Sequence, residues 1–139
     1  MGDSEPGGEV GGGEDEGAAP VEFVLVTVPL LFLLLVVLQV AVYLHLRNVV
    51  VASAAEGARY AANADRAVAD GGPFAEQVLG HGVSARTAAH IRCLATEQEG
   101  AGGSVLVAVR CQGTVPTLLS AVGRLLPVDA TARALREGR

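Results

Sequence analysis

The 139-residue chain has no lysine; all ten basic residues are arginine, and none precedes Arg47. The 15 acidic residues bring the formal net charge to -5. No basic patch with interleaved aromatics can form on this inventory, so nucleic acid is not expected as a partner. Cysteine is scarce, with Cys93 and Cys111 alone. A metal site recruiting His81, His90, Cys93 and Cys111 would lack the tight ligand pairs of zinc sites. There is no nucleophile elbow, phosphate-binding glycine loop or motif-placed pair of carboxylates. No enzymatic activity, metal or cofactor is therefore expected.

The opening "MGDSEPGGEVGGGEDE" holds six of the acids and no aromatic. Its glycines have no strand before them, and the segment reads as an acidic, glycine-rich disordered leader or tail over residues 1–17.

Only one long apolar run is present. From Phe23 to Leu46 there is no charged residue, and Thr27, Gln39, Tyr43 and His45 are the polar interruptions. About 20 apolar residues in a helix cross a hydrocarbon core, so a transmembrane helix is expected over 18–46. Pro29 lies near its start, where a missing N–H is tolerated. A cleaved secretory signal fits less well, because the run exceeds a short h-region and no basic residue precedes it. His45 and Tyr43 suit the lipid boundary. The single carboxylate at the mouth, Glu22, reads either as an interfacial residue favoured by the helix macrodipole or as a functional group.

Residues 47–69 continue the helical pattern without proline. Small residues recur at Ala54, Gly57, Ala58 and Ala61, a stripe suited to close helix packing. Glu56 and Arg59 are three apart and can pair in water. Span and extension together would make a helix of about 45 residues, roughly 70 Å long. Such a rod requires neighbouring subunits, or else serves as a lone stalk lifting the C-terminal domain off the membrane.

Residues 70–139 form a small domain. "DGGP" (Asp70 to Pro73) is expected to stop the long helix. Phe74 to Leu79 suggests a short helix ended by "GHG". Beyond it the period becomes two, in "AHIRCLATE" and "SVLVAVRCQG", with "QEGAGGS" as the turn. A hairpin centred near Gly102 sets Cys93 opposite Cys111 and Ala95 opposite Val109. That register allows a cross-strand disulfide in an oxidising exterior compartment, the alternative being two buried free thiols. A short helix from Thr117 to Leu126 is expected next, then a third strand carrying Val128, Ala130, Ala132 and Ala134 on one face. The fold class is α+β: a long N-terminal transmembrane-plus-stalk helix followed by a small antiparallel three-stranded sheet.

At Gly17, Ala18, Glu22 and Phe23 the sequence resembles the type IV prepilin class, in which a peptidase cuts after a glycine and leaves glutamate as the fifth mature residue. Further on, Asn48, Ala54, Ala55, Glu56, Gly57, Ala58, Arg59, Tyr60, Ala61 and Ala62 look like the text just past the span in TadE-like proteins. Thr131, Ala132, Ala134 and Arg136 are similar to their ends.

The resemblance implies a pilin-like fold and a minor pilin or pseudopilin of a Tad/Flp-type pilus assembly or secretion system. It implies a prepilin peptidase, other pilin subunits and the assembly machinery as partners, besides the membrane. Glu22 would then meet the new N-terminal amine of Ala18 on a neighbour. The chain is expected in the cell membrane as a single-pass protein with its C-terminal domain extracytoplasmic. A count of arginines flanking the span, read literally, points the other way; the disulfide register and the resemblance decide the expectation. The alternative is an unprocessed single-pass envelope protein with an extracytoplasmic interaction domain.

Overall fold

The computed structural model describes residues 2, 7, 8, 18–116 and 125–137. The elements are α1 (Ala18–Ala62), a 3-10 turn (Val68–Asp70), α2 (Gly71–Gly82), α3 (Ala85–Ala88), β1 (Ile91–Glu99), a second 3-10 turn (Ala101–Gly103), β2 (Val105–Pro116) and β3 (Leu125–Leu135). The chain divides into two compact units, Met1–Val37 and Leu38–Arg139. In the first, the described helical residues carry Val, Leu and Phe side chains that are all exposed. The second holds the remainder of α1, α2, α3 and the sheet.

The three strands form an antiparallel sheet in the order β1-β2-β3. Cys93 faces Cys111 and Ala95 faces Val109, the expected register. Two glycines in the connecting turn, Gly102 and Gly103, take φ values of 72° and 77°, a region that side chains with a Cβ rarely adopt. Alternation decides the faces. Ile91, Cys93, Val109, Cys111, Val115, Val128 and Ala130 are buried, and they pack on Val50, Ala54 and Ala58 of α1 and on Ala75 and Leu79 of α2; Val107 is buried in a second cluster with Ala61 and Ala62. The largest fully buried side chains are Leu79, Ile91 and several valines. A core so poor in bulk gains little from each residue, since burial energy scales with area.

α1 ends at Ala62, short of the extension to 69 expected from composition. No strong breaker comes after Ala62. The Ala62 carbonyl accepts a hydrogen bond from the Glu137 N–H at 2.9 Å, and the Arg66 N–H closes a turn on the Asn63 carbonyl at 3.2 Å. Asn63 and Asp65 are weak helix formers, and a contact 75 positions away in sequence supplies the stop.

"DGGP" does not break the long helix; it opens α2. Pro73 falls in the first turn of α2, where its missing N–H leaves no bond unmade. The two glycines are needed for proximity. A Cβ on Gly71 would lie 2.8 Å from the Ala61 Cβ, and one on Gly72 would lie 2.5 Å from the Cys93 carbonyl oxygen. α2 runs to Gly82, longer than Phe74 to Leu79. α3 has no counterpart among the elements expected from sequence; Ser84 caps it by accepting the Thr87 N–H at 3.3 Å. Of the connection expected as a helix, residues 117–124 lie outside the described residues, while Leu125 and Leu126 belong to β3.

Candidate assembly site

α1 begins at Ala18, and Glu22 is its fifth residue, exposed like Phe23 beside it. Gly17 lies outside the described residues. Phe23 is 70% exposed and Leu25 73%, and the large apolar side chains continue so to Val37. An apolar surface of this extent is not stable in water and belongs against lipid or protein. The helix is long and apolar enough to cross a membrane, which is compatible with membrane anchoring through a single N-terminal segment.

The small-residue stripe is packed within the chain. Ala54, Ala58 and Ala61 are fully buried within the second unit, and Gly57 is buried with them. A Cβ on Gly57 would sit 2.5 Å from the Gly71 carbonyl oxygen and 2.7 Å from the Ala75 Cβ. The stripe therefore receives the chain's own α2 and sheet. Close backbone approach requires small residues whether the partner helix comes from the same chain or another, so the pattern alone did not distinguish them. On the open side of α1 in this unit, Val40, Leu44 and Val51 are exposed, and Arg59 pairs with Glu56 at 3.1 Å.

Aromatic groups fasten the end of α1 to the start of α2. Tyr60 and Phe74 stack with ring centroids 4.1 Å apart. The Arg66 guanidinium lies 4.8 Å from the Tyr60 centroid and donates to its hydroxyl at 2.7 Å.

The structure joins Cys93 and Cys111 by a disulfide, with Cα atoms 4.0 Å apart. The Cys93 N–H points away from β2 and donates to Glu76 Oε1 of α2 at 2.9 Å. The two cysteines thus occupy a non-hydrogen-bonded position of the ladder, the kind at which opposing Cα atoms approach most closely. Glu76 also lies 3.6 Å from Arg92. With Gly72 against the Cys93 carbonyl, α2 seals this part of the β1 edge, which would otherwise offer backbone groups to any passing strand. No sequence signal linked Glu76 to Cys93; they come together only in the tertiary fold.

On the outer sheet face Arg110 of β2 forms a bidentate pair with Asp129 of β3. The hydrogen bond from Arg110 holds the Asp129 carboxyl below its ordinary range, and the Arg110 guanidinium is raised in turn.

Residues 17–59 match the family described as TadE-like protein. The match spans the proposed cut, the apolar run and α1 as far as Arg59, and it stops before the sheet, so it does not reach Thr131 to Arg136. No curated protein and no solved structure matches the chain.

Proposed function

We propose that this chain, whose residues 17–59 match the TadE-like family, is associated with Tad pili as a minor pilin or pseudopilin of such a system. Its role is structural, not catalytic. A prepilin peptidase cuts after Gly17, the apolar part of α1 holds the product in the membrane, and the disulfide-bonded domain lies on the extracytoplasmic side. The observation that carries this reading is the match over residues 17–59, within which an exposed carboxylate, Glu22, stands five residues after Gly17 at the mouth of the apolar helix.

The chemistry of that carboxylate explains its use. An ionised side chain drawn into the membrane costs on the order of 2 kcal/mol or more unless paired. Cleavage after Gly17 creates a cationic amine on Ala18. In an assembly, the amine of one subunit meets Glu22 of the next, so both charges are compensated only when the subunits are correctly placed. Helix contacts between subunits fall to the exposed side chains of α1, because Ala54, Gly57, Ala58 and Ala61 are occupied by the subunit's own domain. Residues 93 and 111 joined as a disulfide suit an oxidising compartment.

The test is N-terminal sequencing of the mature protein from native membranes with the peptidase intact. The expected first residue is Ala18. A chain that still begins at Met1 or Gly2 would overturn the proposal and leave an unprocessed membrane anchor with an interaction domain.

A further inference from the structure

We infer that the second unit makes its own contact with the membrane, resting one end of its domain on anionic lipid headgroups; this depends on α1 crossing the bilayer. Four contacts within that unit fix how the elements run beside α1. The Tyr43 hydroxyl donates to the Pro127 carbonyl at 3.2 Å. A Cβ on Gly82 would lie 2.7 Å from Val49 Cγ1, and Gly57 abuts Gly71. The Glu137 N–H reaches the Ala62 carbonyl at 2.9 Å. β3 therefore runs in the same direction as α1, and α2 runs against it. The end of α2, α3, the start of β1, the end of β2 and the start of β3 gather beside Tyr43 to Val49.

That level is also where the uncharged run ends. Leu46 is its last residue and Arg47 the first charge, yet Tyr43 and Leu46 already pack against the domain core. No spacer separates the end of the run from the start of the domain. A bilayer surface at Leu46 meets the domain directly.

The charges without an ion pair are sorted to match. Arg47 and Arg86 are exposed at this end, and neither has an ion pair among the described residues. His45, His81 and His90 lie at the same end. The nearest acids, Glu76 and Asp129, are engaged by Arg92 and Arg110. At the opposite end, about 24 Å along α1 from Leu46 to Ala62 at the helical rise, Arg66 and Arg136 pair with Asp65 and Glu97 and Arg133 donates to Gln98, which leaves Asp70, Glu99 and Glu137 without an ion pair among the described residues. An anionic surface attracts arginines within about a Debye length, roughly 10 Å, so it distinguishes the two ends.

The chain contains no tryptophan, so a single introduced tryptophan reports without background. The full chain is reconstituted in vesicles of phosphatidylcholine and phosphatidylglycerol, a fraction of the lipids bearing a nitroxide on the headgroup. His81→Trp places the reporter at the exposed end of α2, and Ala101→Trp places it at the exposed hairpin turn. The expected result is loss of most emission from position 81 and retention of most at position 101. Adding Arg47→Gln and Arg86→Gln to His81→Trp restores emission. Equal quenching at the two positions, or quenching at 81 that ignores both arginines, would overturn the inference and point to protein contacts at that end. A chain that fails to float with the vesicles overturns it too, by removing its premise. The pilin reading fails separately, on the N-terminal residue of the mature chain.

Discussion

Gly57→Ala sets two effects of known size against each other. In a helix interior, replacing glycine by alanine gains about 1 kcal/mol from propensity. At position 57 the new Cβ would stand 2.5 Å from the Gly71 carbonyl oxygen and 2.7 Å from the Ala75 Cβ. Ordinary contact begins near 3.4 Å, so α2 must move by roughly 1 Å. It cannot retreat freely, because on its far side Gly72 is held against the Cys93 carbonyl and Gly71 against the Ala95 Cβ, both of β1. Overpacking costs about 1–3 kcal/mol, and a contact that requires backbone to shift falls in the upper half of that range, about 2–3 kcal/mol. The clash wins, and Gly57→Ala is expected to destabilise by about 1–2 kcal/mol net. Gly80→Ala in α2 supplies the control, since nothing lies within 4 Å of a Cβ there; it should stabilise by about 0.5–1 kcal/mol. Thermal unfolding of the full chain in detergent, followed by circular dichroism, reads both, at about 4–8 °C per kcal/mol for a unit of this size. Equal or higher stability in Gly57→Ala would refute the packing argument, because propensity would then be the only effect present.

Other outcomes rest on the same structure. Opening the Cys93–Cys111 disulfide, which spans a separation of 18 residues, should cost about 3 kcal/mol by loop-closure entropy; melting the domain with and without reductant checks this. Glu76→Ala should cost about 1–2 kcal/mol by leaving the Cys93 N–H without its acceptor. Glu76→Gln should retain most of that bond, and amide exchange at Cys93 should be fast only in the alanine variant. Because Arg110 lowers the Asp129 pKa in the folded state, the pair's stabilisation is present above about pH 4, the unfolded value. It is lost as pH falls through the depressed folded value. Asp129→Asn should flatten that acid limb of the stability curve, and added salt should shrink the difference between the two proteins.

Local pattern made much of this architecture legible. The apolar run announced a membrane-length helix because lipid requires an unbroken stretch of uncharged residues. The period-two alternation from Ala89 to Gly113 identified the hairpin and its faces, and the turn centred on Gly102 set Cys93 opposite Cys111. The third strand was visible in Val128, Ala130, Ala132 and Ala134 for the same reason. The proposed assembly residues at the helix entrance, Gly17, Ala18, Glu22 and Phe23, are likewise a matter of spacing along one chain segment.

The features that required the tertiary structure depend on contacts distant in sequence. The end of α1 at Ala62 is set by the backbone of Glu137, and no local breaker marks it. "DGGP" read as a stop, because glycine weakens helices in isolation; its glycines instead admit α1 and β1 to the first turn of α2. The stripe of Ala54, Gly57, Ala58 and Ala61 signalled close packing but not the identity of the partner, since a small residue permits approach from any helix. Glu76 gained its role only when folding brought the edge of β1 to α2. Periodicity determined the elements and their faces because side-chain direction repeats along a single strand or helix. Which faces meet was decided by the tertiary structure, because burial and hydrogen-bond satisfaction are properties of surfaces brought together.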